Sequence, residues 1–288
     1  MQRKTLLYII LSITLLASKA MAAENMLPPL QLSFGVYQSD KATIMYQKLR
    51  PVLEHLQQDM GKELARPVYI SLIIFKTYAE ANTALVDGSV DFVRFGPASY
   101  AVAKASNEKI QLVVMEHKKG KKQFKGLVVV QADSPIKTLA DIKGQRFAFG
   151  DQNSTIGRYL IQAELIKAGI FAKDLKSYAY LKRHDRVFKA VKLGDYDAGS
   201  IKEGTFHRYN KNNDLKVIHT FNNVTKPWIA RADLAPKTVA AIRQSLLTLR
   251  DEKILAALKV SGFLAASDEE YKFVREEMRK ASEFTTRE

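Results

Sequence analysis

The chain has 288 residues, of which 47% are hydrophobic and 26% charged, and its formal net charge is +15. These values are typical of a globular protein and exclude a disordered or low-complexity chain, while the length allows one large or two small domains. Cysteine is absent, which excludes disulfides and a lipid anchor attached through an N-terminal cysteine.

Residues 1–22 have the pattern of a secretory signal peptide. Arg3 and Lys4 precede a mostly apolar run over 6–16, and Ala20-Met21-Ala22 supplies the small residues that signal peptidase requires. We therefore expect cleavage near Ala22 or Ala23, export to a bacterial periplasm and a mature chain that does not cross a membrane.

The mature chain remains strongly basic. Arg3, Lys4 and Lys19 leave with a segment that contains no acid, so the net charge falls by three from +15 to +12. This excess favours an anionic partner. Nucleic acid is not expected, because the cations are scattered along the chain and export separates the chain from nucleic acid. The densest cluster, 118–122, is interpreted as a solvated turn, with contact to a membrane or membrane partner as the alternative.

The first half of the mature chain alternates predicted strands with predicted helices. The run over 67–75 is nearly all apolar, which indicates a strand buried on both faces. The first helix is expected to end at Gly61. The predicted strands are 30–37, 67–75, 90–95, 111–115 and 126–131, and the predicted helices are 43–60, 78–86 and one that opens at 96–100.

Ser134-Pro135 begins a second unit of the same kind, followed by a helical C-terminal part. A short helix is expected before Gly144. The later predicted strands are 175–180, 197–201, 215–221 and an extended piece at 228–231, and the later predicted helices are 185–193, 236–249, 252–260 and 268–282. Strands that alternate with helices predict an α/β fold with parallel or mixed sheets.

The stretch from Phe147 to Gly169 is predicted to form a strand, a tight turn and the N-terminus of a helix. Ser154 or Asn153 is expected to cap the helix, because either side chain accepts a hydrogen bond from an otherwise unpaired backbone N–H. A helix N-terminus with the hydroxyls of Ser154 and Thr155 is suited to binding an anion. An ordinary capped helix is the alternative interpretation.

Ligands of open α/β sheets bind at the carboxyl ends of the strands. Two units that face each other across such loops predict a cleft between them. The expected loops begin at or contain Tyr37, Tyr78, Arg94-Phe95-Gly96, Ser154-Thr155, His184 and Lys202-Glu203.

Metal binding and nucleophilic catalysis are not expected. His117, His207 and His219 lie on separate segments without the spacing of a metal site. The chain also contains neither a Gly-x-Ser-x-Gly motif nor a cysteine. We therefore expect a binding protein without a cofactor, not an enzyme.

Five groups of residues carry a resemblance to a known family. They are Gly35-Val36-Tyr37 with 49–53; 88–92 with Phe95-Gly96; Ser134-Pro135-Ile136 with Leu139, Asp141-Ile142 and Gly144; 153–157; and His184 with Ala190-Val191, Gly194 and 197–199. In this order they resemble the phosphate/phosphite/phosphonate-binding proteins of ABC importers, in the type II periplasmic binding protein superfamily. The resemblance implies a two-lobed α/β fold with two mixed, five-stranded-type sheets, flanking helices and a ligand cleft between the lobes. One lobe would comprise 24–128 plus 226–288, and the other 129–225.

The resemblance also implies site residues. Ser154, Thr155 and Gly157 match a Ser-Thr-Ser-Gly phosphonate motif in which Ile156 replaces the third hydroxyl. The candidate ligand-binding residues are Tyr37, Tyr78, Arg94, Phe95 (where the family has a tyrosine), Ser154, Thr155, Ile156, Gly157, His184, Glu203 and Lys226.

Two positions bear on the substrate. Relatives that take aminoalkyl phosphonates hold the ammonium with two carboxylates, which fall here at Gly204, beside Glu203, and at Lys226. A lysine in place of an acid predicts that amine-bearing ligands are not bound. If Lys226 and Arg94 both reach the cleft, the ligand is expected to carry two anionic groups.

The resemblance implies a monomeric protein that captures a small oxyanion for the permease of an ABC importer. The alternative is a sensory protein of the same fold that signals ligand occupancy to a membrane receptor. This alternative is suggested by the hydroxyls lost at Ile156 and Phe95 and by the basic segment 118–122.

Overall fold

The computed structural model describes residues 27–286, so the predicted signal peptide and its cleavage site lie outside the described residues. The strands are β1 Leu30–Tyr37, β2 Val68–Phe75, β3 Phe92–Arg94, β4 Gln111–His117, β5 Gln123–Gln131, β6 Arg146–Phe149, β7 Ser177–Tyr180, β8 Ala198–Lys202, β9 Leu215–Val224, β10 Pro227–Ala230 and β11 Gly262–Leu264. The α-helices are α1 Ala42–Glu63, α2 Tyr78–Val86, α3 Pro97–Ser106, α4 Ile161–Lys167, α5 His184–Lys192, α6 Glu203–Tyr209, α7 Pro236–Thr248, α8 Glu252–Leu258 and α9 Lys272–Ala281. Within residues 27–286, no helix has both the length and the apolar character needed to cross a bilayer.

Two mixed sheets with flanking helices form the α/β fold that the sequence predicts. The first sheet has the order β11-β4-β10-β3-β1-β2, and the second has the order β7-β6-β8-β5-β9. The first sheet has six strands rather than five, because β11, which the sequence pattern did not predict, pairs antiparallel with β4. Strands β1, β2 and β3 are parallel, as are β6, β7 and β8, so their carboxyl ends point to the space between the sheets, where loops from both meet.

Helices α1, α7 and α8 cover one face of the first sheet. Phe34 packs on Phe92 and Trp228, with ring centroids 4.8 Å apart in each pair. Two local predictions are wrong here. Helix α1 runs through Gly61, because the reversal with positive φ comes only at Ala65. Strand β2 is an edge strand rather than one buried on both faces, and Tyr69 is 52% exposed.

The chain passes from the first sheet to the second through the basic turn 118–122 and returns at 225–226. The two connections lie side by side, because Thr225 N–H donates to the Lys122 carbonyl (3.0 Å) and Glu116 N–H donates to the Lys226 carbonyl (3.1 Å). Lys118 and Lys122 bind Glu203 and Glu270, so the basic turn is not simply a solvated tip.

The expected division into lobes remains a prediction, and the structure distributes the C-terminal segment differently. Helix α9 lies against α4, and the ring of Phe284 packs on Phe149 and Tyr178 in the core of the second sheet. Residues 272–285 therefore pack with the second sheet, whereas the resemblance placed all of 226–288 with the first.

Close contact between two glycines fixes the start of the helix that follows β6. Gly150 N–H donates to the Gly157 carbonyl at 2.8 Å. A Cβ atom on Gly157 would lie 2.8 Å from the Gly150 Cα, closer than real Cβ atoms approach a backbone carbon. Gly157 therefore allows the first helical turn to pack directly on the end of the strand.

We predict that Gly157→Ala lowers the free energy of unfolding by about 1–3 kcal/mol, because the added methyl group overpacks this contact. The control is Gly61→Ala in the interior of α1, where the nearest atom to a new Cβ lies 3.5 Å away. This control should gain about 0.5–1 kcal/mol from its higher helix propensity. Urea titration measures both, and a Gly157→Ala midpoint equal to that of the parent protein would contradict the prediction.

Candidate functional site

The helix after β6 begins with Ser154 as its capping residue. Its Oγ accepts a hydrogen bond from Gly157 N–H at 2.9 Å, so Ser154 rather than Asn153 supplies the cap. Residues Thr155–Leu160 form a π-helical turn that continues directly into α4. Ser154, Thr155 and Ile156 of this first turn line the cleft between the sheets.

A second helix N-terminus, that of α3, faces the first across the cleft. Ala98 N–H donates to Thr155 Oγ1 at 2.9 Å. Gly96 N–H donates to the hydroxyl oxygen of Tyr37. A Cβ on Gly96 would lie 2.6 Å from that oxygen and 3.2 Å from Thr155 Oγ1, so the absence of a side chain there permits the close approach. Two partial positive charges consequently converge on one point.

The smaller compartment of the cleft lies at this point and has a volume of about 20 Å³. Two of its buried polar side chains have an atom without a hydrogen-bond partner in residues 27–286, namely Asn223 Oδ1 and His184 Nδ1. Buried polar groups are normally paired, so these two atoms are open to a partner in the cleft, and the Asn223 oxygen can only accept a hydrogen bond. The wall consists of Tyr37, Ser39, Tyr78, Gly96, Pro97, Phe124, Ser154, Thr155, Ile156, His184, Lys202, Asn223 and Lys226.

The two tyrosines and the histidine are uncharged at neutral pH. The rings of Tyr37 and Tyr78 stack with centroids 3.5 Å apart. Burial raises the pKa of Tyr37 to about 12, and burial together with Tyr37 raises the pKa of Tyr78 well above its ordinary value. Burial, assisted by Lys202 and Lys226, lowers the pKa of His184 well below 6.5. The compartment therefore offers neutral hydroxyl and imidazole groups.

A larger compartment adjoins the smaller one and has a volume of about 110 Å³. The two share Ser39, Phe124, Lys202 and Lys226 in their walls, so they are neighbouring parts of the same cleft. Side chains from both sheets line the larger compartment, which carries seven cationic and three acidic residues. The cationic residues are Lys48, Arg94, Lys118, Lys202, Arg208, Lys226 and Lys259, and the acidic ones are Asp40, Glu116 and Glu203.

Each of the three acids is already paired. Arg94 binds Glu116 through two nitrogens, one of them at 2.9 Å, and Trp228 Nε1 donates to the same carboxylate at 3.1 Å. Lys118 Nζ lies 2.5 Å from Glu203 Oε1, and Arg208 binds Asp40. Burial alone would raise the pKa of Glu116, but Arg94, assisted by lysines nearby, holds it below its ordinary value, so the group is ionised.

Three partly buried lysines of this compartment have no carboxylate partner within residues 27–286: Lys48, Lys202 and Lys226. Burial lowers the pKa of Lys202 to about 8, although Asp40 opposes the shift. Burial and Arg94 lower the pKa values of Lys48 and Lys226 well below 10.5. The cleft is therefore a region in which positive charge is unfavourable until an anion enters.

The structure brings most of the predicted site residues to this cleft. Tyr37, Tyr78, Ser154, Thr155, Ile156, His184 and Lys226 line the smaller compartment, and Arg94, Glu203 and Lys226 line the larger one. Two predicted residues lie elsewhere. Phe95 is fully buried behind Tyr37, with ring centroids 5.4 Å apart, and Gly157 packs on Gly150. Both support the site without lining it.

Lys48, Lys202 and Asn223 also line the cleft but were not among the predicted residues. Lys202 lies in one of the loops at strand ends that the sequence analysis predicted, so its position in the sequence could have identified it as a site residue. Lys48 lies on α1 among other charged residues, and Asn223 lies within β9. Nothing in their local sequence separates them from surface residues.

Comparison with known proteins identifies one matching family. The sequence profile described as "ABC transporter, phosphonate, periplasmic substrate-binding protein" matches residues 34–271. A protein from Prochlorococcus marinus (strain MIT 9301), named "Probable ABC transporter phosphite binding protein PhnD1", is 26% identical over 245 residues, which cover 76% of this chain and 82% of that protein.

Solved structures share the fold. The structure of PhnD1 from Prochlorococcus marinus (MIT 9301) in complex with methylphosphonate has a TM-score of 0.78 and 22% identity, and the match covers 88% of this chain and 98% of that one. XAC2383 from Xanthomonas citri bound to ATP has a TM-score of 0.72 and 20% identity with the same coverage of both chains. At these identities the likeness establishes the type II periplasmic binding protein fold alone.

The unpaired lysines predict a pH-dependent stability. Because the folded-state pKa of Lys202, about 8, lies below its ordinary value of 10.5, the unfolded chain binds the proton more strongly. Stability is therefore reduced below pH 8 and rises as the pH increases from about 8 to about 10.5, and the lowered pKa values of Lys48 and Lys226 act in the same direction.

Lys202→Met should raise the melting temperature at pH 7 by about 2–4 °C, which is the shift that ~1 kcal/mol gives in a chain of this size. The increase of stability with pH above pH 8 should also be smaller in this variant than in the parent protein. Calorimetric melts at pH 7 and pH 9 measure both effects. Lys237→Met, at an exposed lysine of α7, serves as the control and should leave the curve unchanged. A lower melting temperature for Lys202→Met would contradict the assignment.

Proposed function

This chain belongs to the family of phosphonate-type periplasmic substrate-binding proteins of ABC transporters, and we propose that it captures a small phosphonate-type oxyanion in the smaller compartment and delivers it to an importer permease. The family match also confirms that the chain is a solute-binding protein and not an enzyme. The observation that carries the proposal is the pair of helix N-termini that meet at Thr155 Oγ1, in a compartment lined by the neutral hydroxyls of Tyr37 and Tyr78 and by two lysines, Lys202 and Lys226.

The geometry suits a tetrahedral oxyanion. Thr155 accepts from Ala98 N–H through its oxygen, so its own proton is left to donate to a ligand oxygen. The hydroxyls of Tyr37 and Tyr78 line the same compartment from the side of the first sheet and offer further hydrogen-bond donors. Donors that are fixed before the ligand arrives bind it without the cost of ordering flexible side chains.

The wall also favours an oxyanion with one apolar substituent. Ile156 and Phe124 border the smaller compartment and offer no hydrogen bond from their side chains. An oxygen placed against them would lose its hydration without compensation, whereas a P–C or P–H bond would not. We therefore expect a preference for phosphonate or phosphite over phosphate.

Binding requires motion of the two sheets. A volume of about 20 Å³ holds roughly one water molecule, which is less than a phosphonate needs. Opening about the paired connections at 118–122 and 225–226, followed by closure on the ligand, is the hinge motion that this arrangement permits.

The periplasmic location follows from the family, whereas signal cleavage near Ala22 or Ala23 remains a prediction. A permease partner is implied by the family. The monomeric state and the lack of nucleic-acid binding also remain predictions. The alternative, a sensory protein that signals to a membrane receptor, receives no support from the family match.

The test is calorimetric titration of the mature protein with methylphosphonate, phosphite and phosphate. Thr155→Ala should weaken methylphosphonate binding by about 10- to 100-fold, because a hydrogen bond to a charged group contributes ~1.5–3 kcal/mol. Thr83→Ala, at an exposed threonine of α2, is the matched control and should bind as the parent does. Unaltered affinity in Thr155→Ala, or no binding of any of the three anions to the parent, would refute the proposal.

A further inference from the structure

We propose that the ligand carries a second anionic group and that this group binds in the larger compartment, to Lys48, Lys202 and Lys226. The inference rests on the proposed function, because it places the phosphonate in the smaller compartment. It names the ligand class as a phosphonate with a separate acidic group, such as a carboxylate or a second phosphonate, on a short chain.

The charge balance of the larger compartment carries the argument. Its wall holds seven basic and only three acidic residues, and two of the basic ones, Lys202 and Lys226, also border the smaller compartment. All three acids are bound to arginine or lysine partners, so none of them is available to neutralise the remaining cations. A second anion is the group that this compartment lacks.

The three unpaired lysines come from separate parts of the fold. Lys48 lies on α1 of the first sheet, Lys202 ends β8 of the second, and Lys226 stands on the connection between them. Like charges that meet from both sheets repel one another and oppose closure. An anion between them reverses the sign of this interaction and helps to hold the sheets together.

The cleft also provides a path for one molecule to reach both compartments. The two share Lys202, Lys226 and Phe124 in their walls, so a ligand group in one compartment lies next to the other. The larger compartment has an apolar side that suits a short aliphatic linker. This side consists of Ile44, Met45, Leu49, Leu258 and Val260.

The same charges exclude a ligand with an amine. With Glu203 held by Lys118 and Glu116 held by Arg94, no unpaired carboxylate of the wall is left to bind an ammonium group. An ammonium group would meet the excess of lysines instead. An aminoalkyl phosphonate is therefore expected to bind more weakly than a neutral phosphonate of the same length.

Three phosphonates of similar length separate these contributions: propylphosphonate, 3-phosphonopropionate and 2-aminoethylphosphonate. Titration calorimetry of the parent protein at pH 7 should show 3-phosphonopropionate binding at least about tenfold more tightly than propylphosphonate, since a close charge pair in a desolvated site contributes ~1.5 kcal/mol or more. 2-Aminoethylphosphonate should bind most weakly.

Lys48→Met is the decisive variant, because Lys48 lines the larger compartment and not the smaller one. It should reduce the preference for 3-phosphonopropionate to within about threefold, measured as the ratio of the two dissociation constants in the same variant, so that any general loss of anion attraction cancels. Lys48→Arg, which keeps the charge, should retain the preference. Thr155→Ala should weaken all three ligands by a similar factor. Melting curves check that each variant is folded.

The outcomes separate this inference from the proposed function. Equal binding of propylphosphonate and 3-phosphonopropionate by the parent would overturn the second anionic group and leave phosphonate capture intact. A preference that persists in Lys48→Met would overturn its assignment to the larger compartment. Failure of all three phosphonates would overturn the inference, and failure of methylphosphonate, phosphite and phosphate as well would overturn the proposed function. The expected preference, lost in Lys48→Met and kept in Lys48→Arg, supports the inference.

Discussion

The excess of positive charge between the two sheets is the constraint on which the rest of the structure depends. Partly buried ammonium groups without carboxylate partners weaken a folded protein, and burial lowers the pKa values of Lys48, Lys202 and Lys226 for this reason. The chain tolerates them because the sheets have extensive cores of their own, with the rings of Phe34, Phe92 and Trp228 in one and of Phe149 and Phe284 in the other. An anion that enters the cleft removes this cost, so ligand binding and closure of the cleft favour each other.

Directional groups complement this charge. The Gly150–Gly157 contact sets the start of the helix, the Ser154 cap leaves the hydroxyl of Thr155 facing the cleft, and Gly96 allows the opposing helix to approach. Lysine charges attract any anion, whereas the fixed hydroxyls and N–H groups select for geometry. We infer that the smaller compartment determines which oxyanion binds, and that the larger one determines what is attached to it.

Sequence patterns predicted the parts of this structure that are local. Strand β1, helix α2 and the strand–turn–helix around Ser154 follow from apolar spacing and capping residues close in the chain. Features that depend on tertiary pairing were missed. The short strand β11 is defined by its partner β4, and the exposure of Tyr69 follows from the edge position of β2.

At the site, Lys226 was found through a resemblance at that position, but no local pattern shows that Lys48 meets it across the cleft. Phe95 was assigned to the ligand because its position matches, yet its ring packs behind Tyr37.

A crystal structure of the mature protein with 3-phosphonopropionate tests most directly whether a phosphonate lies between the two helix N-termini with its attached acidic group among the lysines. We expect phosphonate oxygens within hydrogen-bond distance of Thr155 and Tyr37, and the carboxylate within ion-pair distance of Lys48 and Lys202. A phosphonate bound outside the smaller compartment, or a carboxylate directed to solvent, would contradict it.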